Sequence, residues 1–289
     1  MKNIIVALAL FLSSLGAHAE VVVGGKGYTE QLLLAEMTRL LLDKNGIEVT
    51  KKDGMGTSVL RAAQENGQID LYWEYTGTSL VTFNKVSEKL TAEETYAKVK
   101  ELDEKIGLVW LERSLANNTY ALAMRAADAK EKGITTMSEL AAKFNAGNEL
   151  TLALNAEFYA RPDGWKPVQE KYEFEVERKN VKRMDTGLVY TALKENQVDI
   201  GLVFATDGRI PAFDFTVLED DKGFFPTYNP APVIRKEALE KEPKLAEILN
   251  KMAGVLTSDS LAKLNATVDV DKVSIEEASR SFLKANGLI

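Results

Sequence analysis

The sequence predicts an α/β protein, and two observations carry that class. Short apolar runs of strand length alternate with longer segments of helical period along nearly the whole chain. One helix–strand unit also recurs: TSVLRAAQENGQIDLYWEYTG, from Thr57, aligns without gaps on TGLVYTALKENQVDIGLVFAT, from Thr186, at an offset of 129 residues. A third observation sets the terms of stability. The chain has no cysteine, so its folding energy must come from a sizeable core, which 289 residues are enough to build.

The elements follow in order. MKNIIVALALFLSSLGAHA, residues 1–19, joins Lys2 to an apolar run and an Ala17-His18-Ala19 end, the pattern of a cleaved secretory signal. The run is shorter than the roughly 20 residues that span a bilayer. No cysteine follows it for lipid attachment, so the expected location is the periplasm. VVVGG (21–25) reads as a strand running into a glycine turn. EQLLLAEMTRLLLDKNG (30–46) reads as a helix with Leu33, Met37, Leu40 and Leu41 on one face and Asn45-Gly46 as its stop. Thr91 with Glu94, Thr136 with Glu139 and Ser274 with Glu277 fit capping boxes, each opening a helix. Asp70 and Asp199, at matching places in the repeated unit, read as strand-start residues bonded to nearby backbone.

The repeat also locates two lobes. At its offset Tyr75 falls on Phe204, so two similar lobes would each aim one aromatic ring from the end of the same strand. Helix–strand units resemble one another by chance as well, and the match alone leaves a true duplication open. In open α/β sheets ligands sit beyond the carboxyl ends of strands, and a cleft between lobes is the preferred small-molecule site. No Pro/Gly/Ser-rich tether appears, so chain crossings must join the lobes.

Composition removes several functions. The single histidine is His18, inside the signal, so the mature chain has neither His nor Cys. Ser-His-Asp triads, Cys-His pairs and His-bearing zinc sites are thereby excluded, and no metal or cofactor is expected. The net charge of −7 argues against a nucleic-acid partner. An exported carboxylate-based hydrolase or transferase, for example using Glu74 and Asp207, remains the weaker alternative, because no pair has an interpretable spacing. GGKG is not a phosphate loop either, since Glu20 stands where its first glycine is required and Gly27 follows the lysine.

Six blocks in order carry a resemblance over nearly the whole mature chain: GGKGYTEQLLLAEM (24–37), IDLYWEYTGT (69–78), NNTYALAMR (117–125), EFYARPDGW (157–165), VDIGLVFATDGRI (198–210) and FFPTYNPAPVIR (224–235). The chain resembles the substrate-binding proteins of ABC importers for osmoprotectants, which take up glycine betaine, choline, carnitine and related quaternary amines. The resemblance implies a two-lobed periplasmic binding-protein fold of type II with two chain crossings, near Asn118–Tyr120 and Pro226–Tyr228. Lobe one would comprise residues 20–119 with 226–289, and lobe two residues 120–225. It further implies a monomer that is not an enzyme and that hands its ligand to an inner-membrane permease with its ATPase. The effector domain of a transcription regulator shares the fold but conflicts with the export signal.

The chemistry of such a ligand can be stated independently. A trimethylammonium has no N–H to donate, so hydrogen bonds cannot select it. A box of aromatic faces does, because their negative quadrupoles attract the cation while their apolar surface covers its methyls. Carried over by position, the cage is Tyr75, Tyr120, Phe204 and Tyr228, with Phe204 standing where many relatives have Tyr. Lys26 and Arg161 match the positions expected to hold a carboxylate, with Arg161 reaching from the opposite lobe and Thr29 capping the helix after Lys26. Gln31 and Thr78 are expected at the cage edge, and Tyr28, Tyr72, Trp73 and Tyr159 as wall or support. Within the binding-protein reading, choline without a carboxylate and a polar amino acid are the alternative solutes.

Overall fold

The computed structural model describes residues 20–289; the signal expected over 1–19 lies outside the described residues. VVVGGK forms β1 (Val21–Lys26), and α1 (Thr29–Lys44) stops at Asn45, with Gly46 at φ +75°. Next come β2 (Val49–Met55), α2 (Thr57–Glu65), β3 (Leu71–Tyr75), α3 (Ala92–Glu104) and β4 (Leu108–Trp110). The chain then runs through β5 (Tyr120–Arg125), α4 (Ala126–Lys132), α5 (Met137–Asn145), β6 (Leu152–Leu154), α6 (Ala156–Ala160) and α7 (Trp165–Tyr172). It continues through β7 (Val181–Arg183), α8 (Thr186–Lys194), β8 (Ile200–Phe204), α9 (Arg209–Ala212) and β9 (Phe215–Val217). The last elements are β10 (Pro230–Arg235), α10 (Lys236–Lys241), α11 (Lys244–Val255), α12 (Ser258–Asp269) and α13 (Ile275–Ala285).

The strands form two five-stranded sheets, ordered β2-β1-β3-β10-β4 and β7-β6-β8-β5-β9. The two have the same plan. In each, three neighbouring strands run parallel, β2-β1-β3 and β7-β6-β8, and a strand from elsewhere in the chain adds antiparallel: β10 beside β3, β5 beside β8. The chain passes from the first sheet to the second between Trp110 and Tyr120 and returns between Val217 and Pro230.

The sequence repeat reappears in the elements. The limits of α2 and α8, and those of β3 and β8, are 129 residues apart at both ends. Asp70 accepts the backbone N–H of Val22 at 2.9 Å, and Asp199 accepts that of Thr151 at 2.8 Å, so each ties the start of its strand to the neighbouring strand. Both strands lie inside their sheets, which is why β3 is buried along its whole length, Glu74 included.

Helix starts follow local chemistry. Thr91 and Thr136 form the reciprocal boxes with Glu94 and Glu139, whereas Ser274 accepts the N–H of Glu277 without the return bond. Thr29 does not cap α1. Tyr28 holds the extended cap position at φ −143°, so Thr29 is already helical and its hydroxyl donates instead to Asp269 of α12, at 2.8 Å. One core packs α1 against α11, α12 and α13, with Trp73 donating its indole N–H to Thr38 at 2.9 Å. Arg61 of α2 makes a two-pronged bond to Asp103 of α3, at 2.7 and 3.0 Å, both side chains being buried.

Candidate functional site

A cavity of about 590 Å³ opens between the two sheets, and all four residues expected to form the cage line it. Tyr75 ends β3 and Phe204 ends β8; Tyr120 begins β5, and Tyr228 stands just before β10. The sheet plan makes this convergence: Tyr120 pairs directly with Phe204, and Pro230 with Tyr75. The Tyr120 ring lies 5.0 Å from that of Phe204 and meets Tyr228 edge-on at 5.4 Å. Tyr75 and Tyr228, though they adjoin the first sheet, pack in the same buried cluster as the core of the second.

Local structure fixes each ring. Gly77 explains the Thr-Gly-Thr turn after β3, because a Cβ there would sit 2.8 Å from the Tyr228 ring and from the carbonyl of Thr227. Tyr228 donates its hydroxyl to Asp163 at 2.5 Å. The backbone N–H of Phe204 donates to the hydroxyl of Tyr190 at 2.9 Å. Burial pushes the phenols of Tyr28, Tyr75, Tyr120 and Tyr228 above their ordinary range, so each enters the site neutral. Tyr28 belongs with these rings: it lines the cavity and stacks on Phe204 at 5.8 Å and 10°, and on Tyr75 at 6.5 Å and 27°. Sequence reasoning gave it only a supporting place, since a tyrosine in a glycine-rich turn shows no periodicity.

The polar residues divide. Lys26 and Thr78 line the cavity, but the Lys26 ammonium is 2.6 Å from Glu74 and 5.1 Å from the centre of the Tyr75 ring. Arg161 lies behind the wall, its guanidinium forked onto Asp163 with two bonds of 2.7 Å and set 5.3 Å from the Tyr120 ring centre. It touches Thr78 at 3.5 Å. Gln31 does not reach the cavity. Its amide donates to the carbonyl of Trp73 and accepts from the N–H of Lys26, tying α1 to β3 and β1. Tyr72 donates to Glu74 and Trp73 is in the core, so both are support. Tyr159 lies apart, beneath Arg183.

Glu74 and Asp207 are not brought together as an acid–base pair. Glu74 is held by Lys26, and Asp207, beyond β8, is held by Arg209 at 2.6 Å. Among the described residues no group of three or more His, Cys, Asp or Glu is placed to hold a metal ion.

One further group on the cavity wall was missed. Glu30, in the first turn of α1, accepts from Tyr75 (2.8 Å) and Asn118 (2.9 Å) on one oxygen, and from Thr206 (2.5 Å) and Asn265 (3.1 Å) on the other. Burial raises its pKa, against the lowering pull of these four bonds. In the sequence it resembles any acidic residue of a first helical turn.

Two matching α/β sheets, joined by two crossings and flanking an aromatic-walled cavity, have the architecture of a small-molecule binding protein. Comparison with known proteins agrees: the family described as the substrate-binding domain of the ABC-type glycine betaine transport system matches residues 19–285. The chain belongs to that family. It is 42% identical over 286 residues to the glycine-betaine-binding protein of Pseudomonas aeruginosa, covering 97% of this chain and 92% of that one. It is 35% identical over 293 residues to the ergothioneine transport permease/ergothioneine binding protein EgtU of Helicobacter pylori, covering 99% of this chain and 51% of that one. Among solved structures, a protein of a glycine betaine/carnitine/choline ABC transporter superposes with a TM-score of 0.76 at 28% identity, over 93% of this chain and 99% of that one. The fold is that of the type II periplasmic binding proteins.

Proposed function

We propose that this chain is an exported, non-enzymatic receptor that captures a small quaternary amine in the cavity and delivers it to the permease of an ABC importer. Glycine betaine is the first candidate ligand. The observation that carries the reading is the convergence of Tyr28, Tyr75, Tyr120, Phe204 and Tyr228 on one cavity. Each face is worth roughly 0.5–2 kcal/mol toward a methylated cation, so several together supply much of the roughly 8 kcal/mol of a micromolar ligand. The units that close on the ligand are residues 20–119 with 226–289 and residues 120–225, a division supported by the membership of the two sheets.

A second reading, choline or another amine without a carboxylate, is favoured by one observation. Lys26 and Arg161, the two cations expected to meet a ligand carboxylate, already hold Glu74 and Asp163. Calorimetric titration with glycine betaine, proline betaine, carnitine, ergothioneine, choline and a polar amino acid separates the readings. Tighter binding of glycine betaine than of choline supports the first. Binding of the amino acid, with no methylated amine bound, would sink the cage.

A further inference from the structure

Glu30 is a buried charged group on the cavity wall for which the cage has no use. It is 3% exposed and forms no ion pair within 4.0 Å among the described residues. The other buried carboxylates around the site each have a cation: Glu74 has Lys26, Asp163 has Arg161 and Asp207 has Arg209. A buried charge left without a partner is costly, and proteins rarely keep one without compensation.

The hydrogen bonds to Glu30 nevertheless work toward the ionised form, against its burial. The carbonyl oxygen of Asn118 is taken by the backbone N–H of Thr206 at 3.4 Å, which turns its NH₂ toward Glu30. The NH₂ of Asn265 is fixed in the same way, since it also donates to the carbonyl of Thr206 at 2.9 Å. Two amide donors and two hydroxyls thus face two carboxylate oxygens, and the positive end of α1 adds to their effect. Among the described residues Tyr75 is the one titratable side chain bonded to Glu30, and its phenol is neutral through burial.

An anion prepared in this way, bonded to the hydroxyl of one cage ring and open to the cavity, lacks only a cation from outside. We propose that Glu30 is the counter-charge for the ligand's quaternary ammonium, a specificity-determining residue that makes the cavity prefer cations over neutral groups of the same shape. The proposal rests on the quaternary-amine reading above.

The test is Glu30→Gln, titrated by calorimetry beside the unaltered protein with choline and with the neutral alcohol in which carbon replaces the ammonium nitrogen. Loss of the charge is expected to weaken choline by about tenfold or more and the neutral alcohol by less than about threefold. A smaller loss for choline overturns the proposal. So does an equal loss for both compounds, because Glu30 would then only hold Tyr75 and Thr206 in position. The unaltered protein gives a second test that needs no variant: carbon-13 NMR of the Glu30 carboxyl. Saturating choline is expected to lower its titration midpoint by about a unit or more, and an unmoved midpoint overturns the proposal even where Glu30→Gln does not fold. If the unaltered protein binds no quaternary amine at all, the functional reading fails first and takes this one with it.

Discussion

Truncating Phe204 isolates one wall of the cage with the least damage to the fold. The ring ends β8, is only partly buried, and touches Tyr28 and Tyr120 at 5.8 and 5.0 Å. Phe204→Ala removes one aromatic face, worth roughly 0.5–2 kcal/mol, together with apolar cover for the ligand methyls at about 0.8 kcal/mol per methylene-sized group. The sum is about 1–3 kcal/mol, so the dissociation constant for glycine betaine should rise about 5-fold to 150-fold. Phe204→Leu separates the two contributions, because it keeps apolar bulk and discards the quadrupole. It should lose the larger part of the same affinity. The assay is calorimetry on both variants, with thermal unfolding to confirm that each is folded. A Phe204→Leu protein that binds within about twofold of the original would refute the cation–π reasoning and reduce the cage to an apolar pocket.

Other outcomes can be stated briefly. Arg161→Ala leaves Asp163 buried without its cation and should cost about 3–5 kcal/mol of stability; if Arg161 turns to a ligand carboxylate on binding, glycine betaine should suffer more than choline, and equal losses would refute that role. Burial works against the Asp103 carboxylate, but Arg61, Trp110 and Asn84 outweigh it and hold its pKa below the usual range. Its folded pKa being depressed, its stabilisation is complete above about pH 4 and is lost as pH falls further; Asp103→Asn should lower Tm at neutral pH and flatten the fall in Tm between about pH 4 and pH 2. A Cβ on Gly208 would come within 2.5 Å of Ala266 Cβ and 2.6 Å of the Ala262 carbonyl, so Gly208→Ala should push α12 from the segment between β8 and α9 and cost about 1–3 kcal/mol. An unchanged Tm would show that α12 yields freely.

Where the sequence was legible, local chemistry determined the outcome. The 129-residue echo located α2, β3, α8 and β8, because an apolar strand after an Asn-containing helix stop reads the same in any context. Thr91 and Thr136 cap as predicted for a related reason: both partners lie within one turn. The site was legible where motif position fixed a ring on a strand end. It was illegible where long-range contact decides the role. Nothing near Gln31 in the chain announces that its amide is spent on Trp73, nor that Asn265, 235 residues from Glu30, closes that carboxylate's shell. Arg161 shows the same limit: RPDG displays both charges, but not that the fold locks them together at the hydroxyl of Tyr228.

The plan of the sheets has a mechanical consequence. Tyr120 is the first residue after one crossing, and Tyr228 stands at the end of the other, with Asn118 and Tyr228 bonded backbone to backbone at 3.0 Å. On the proposed reading, in which the two sheets rotate about these crossings, the pivot and the binding wall are the same few peptides. A rotation of one sheet against the other would then move the rings as well, so that opening and loss of grip would be a single event. Residence time then becomes a property of backbone stiffness at residues 117–119 and 226–229, and affinity can be tuned there by side chains that never meet the ligand.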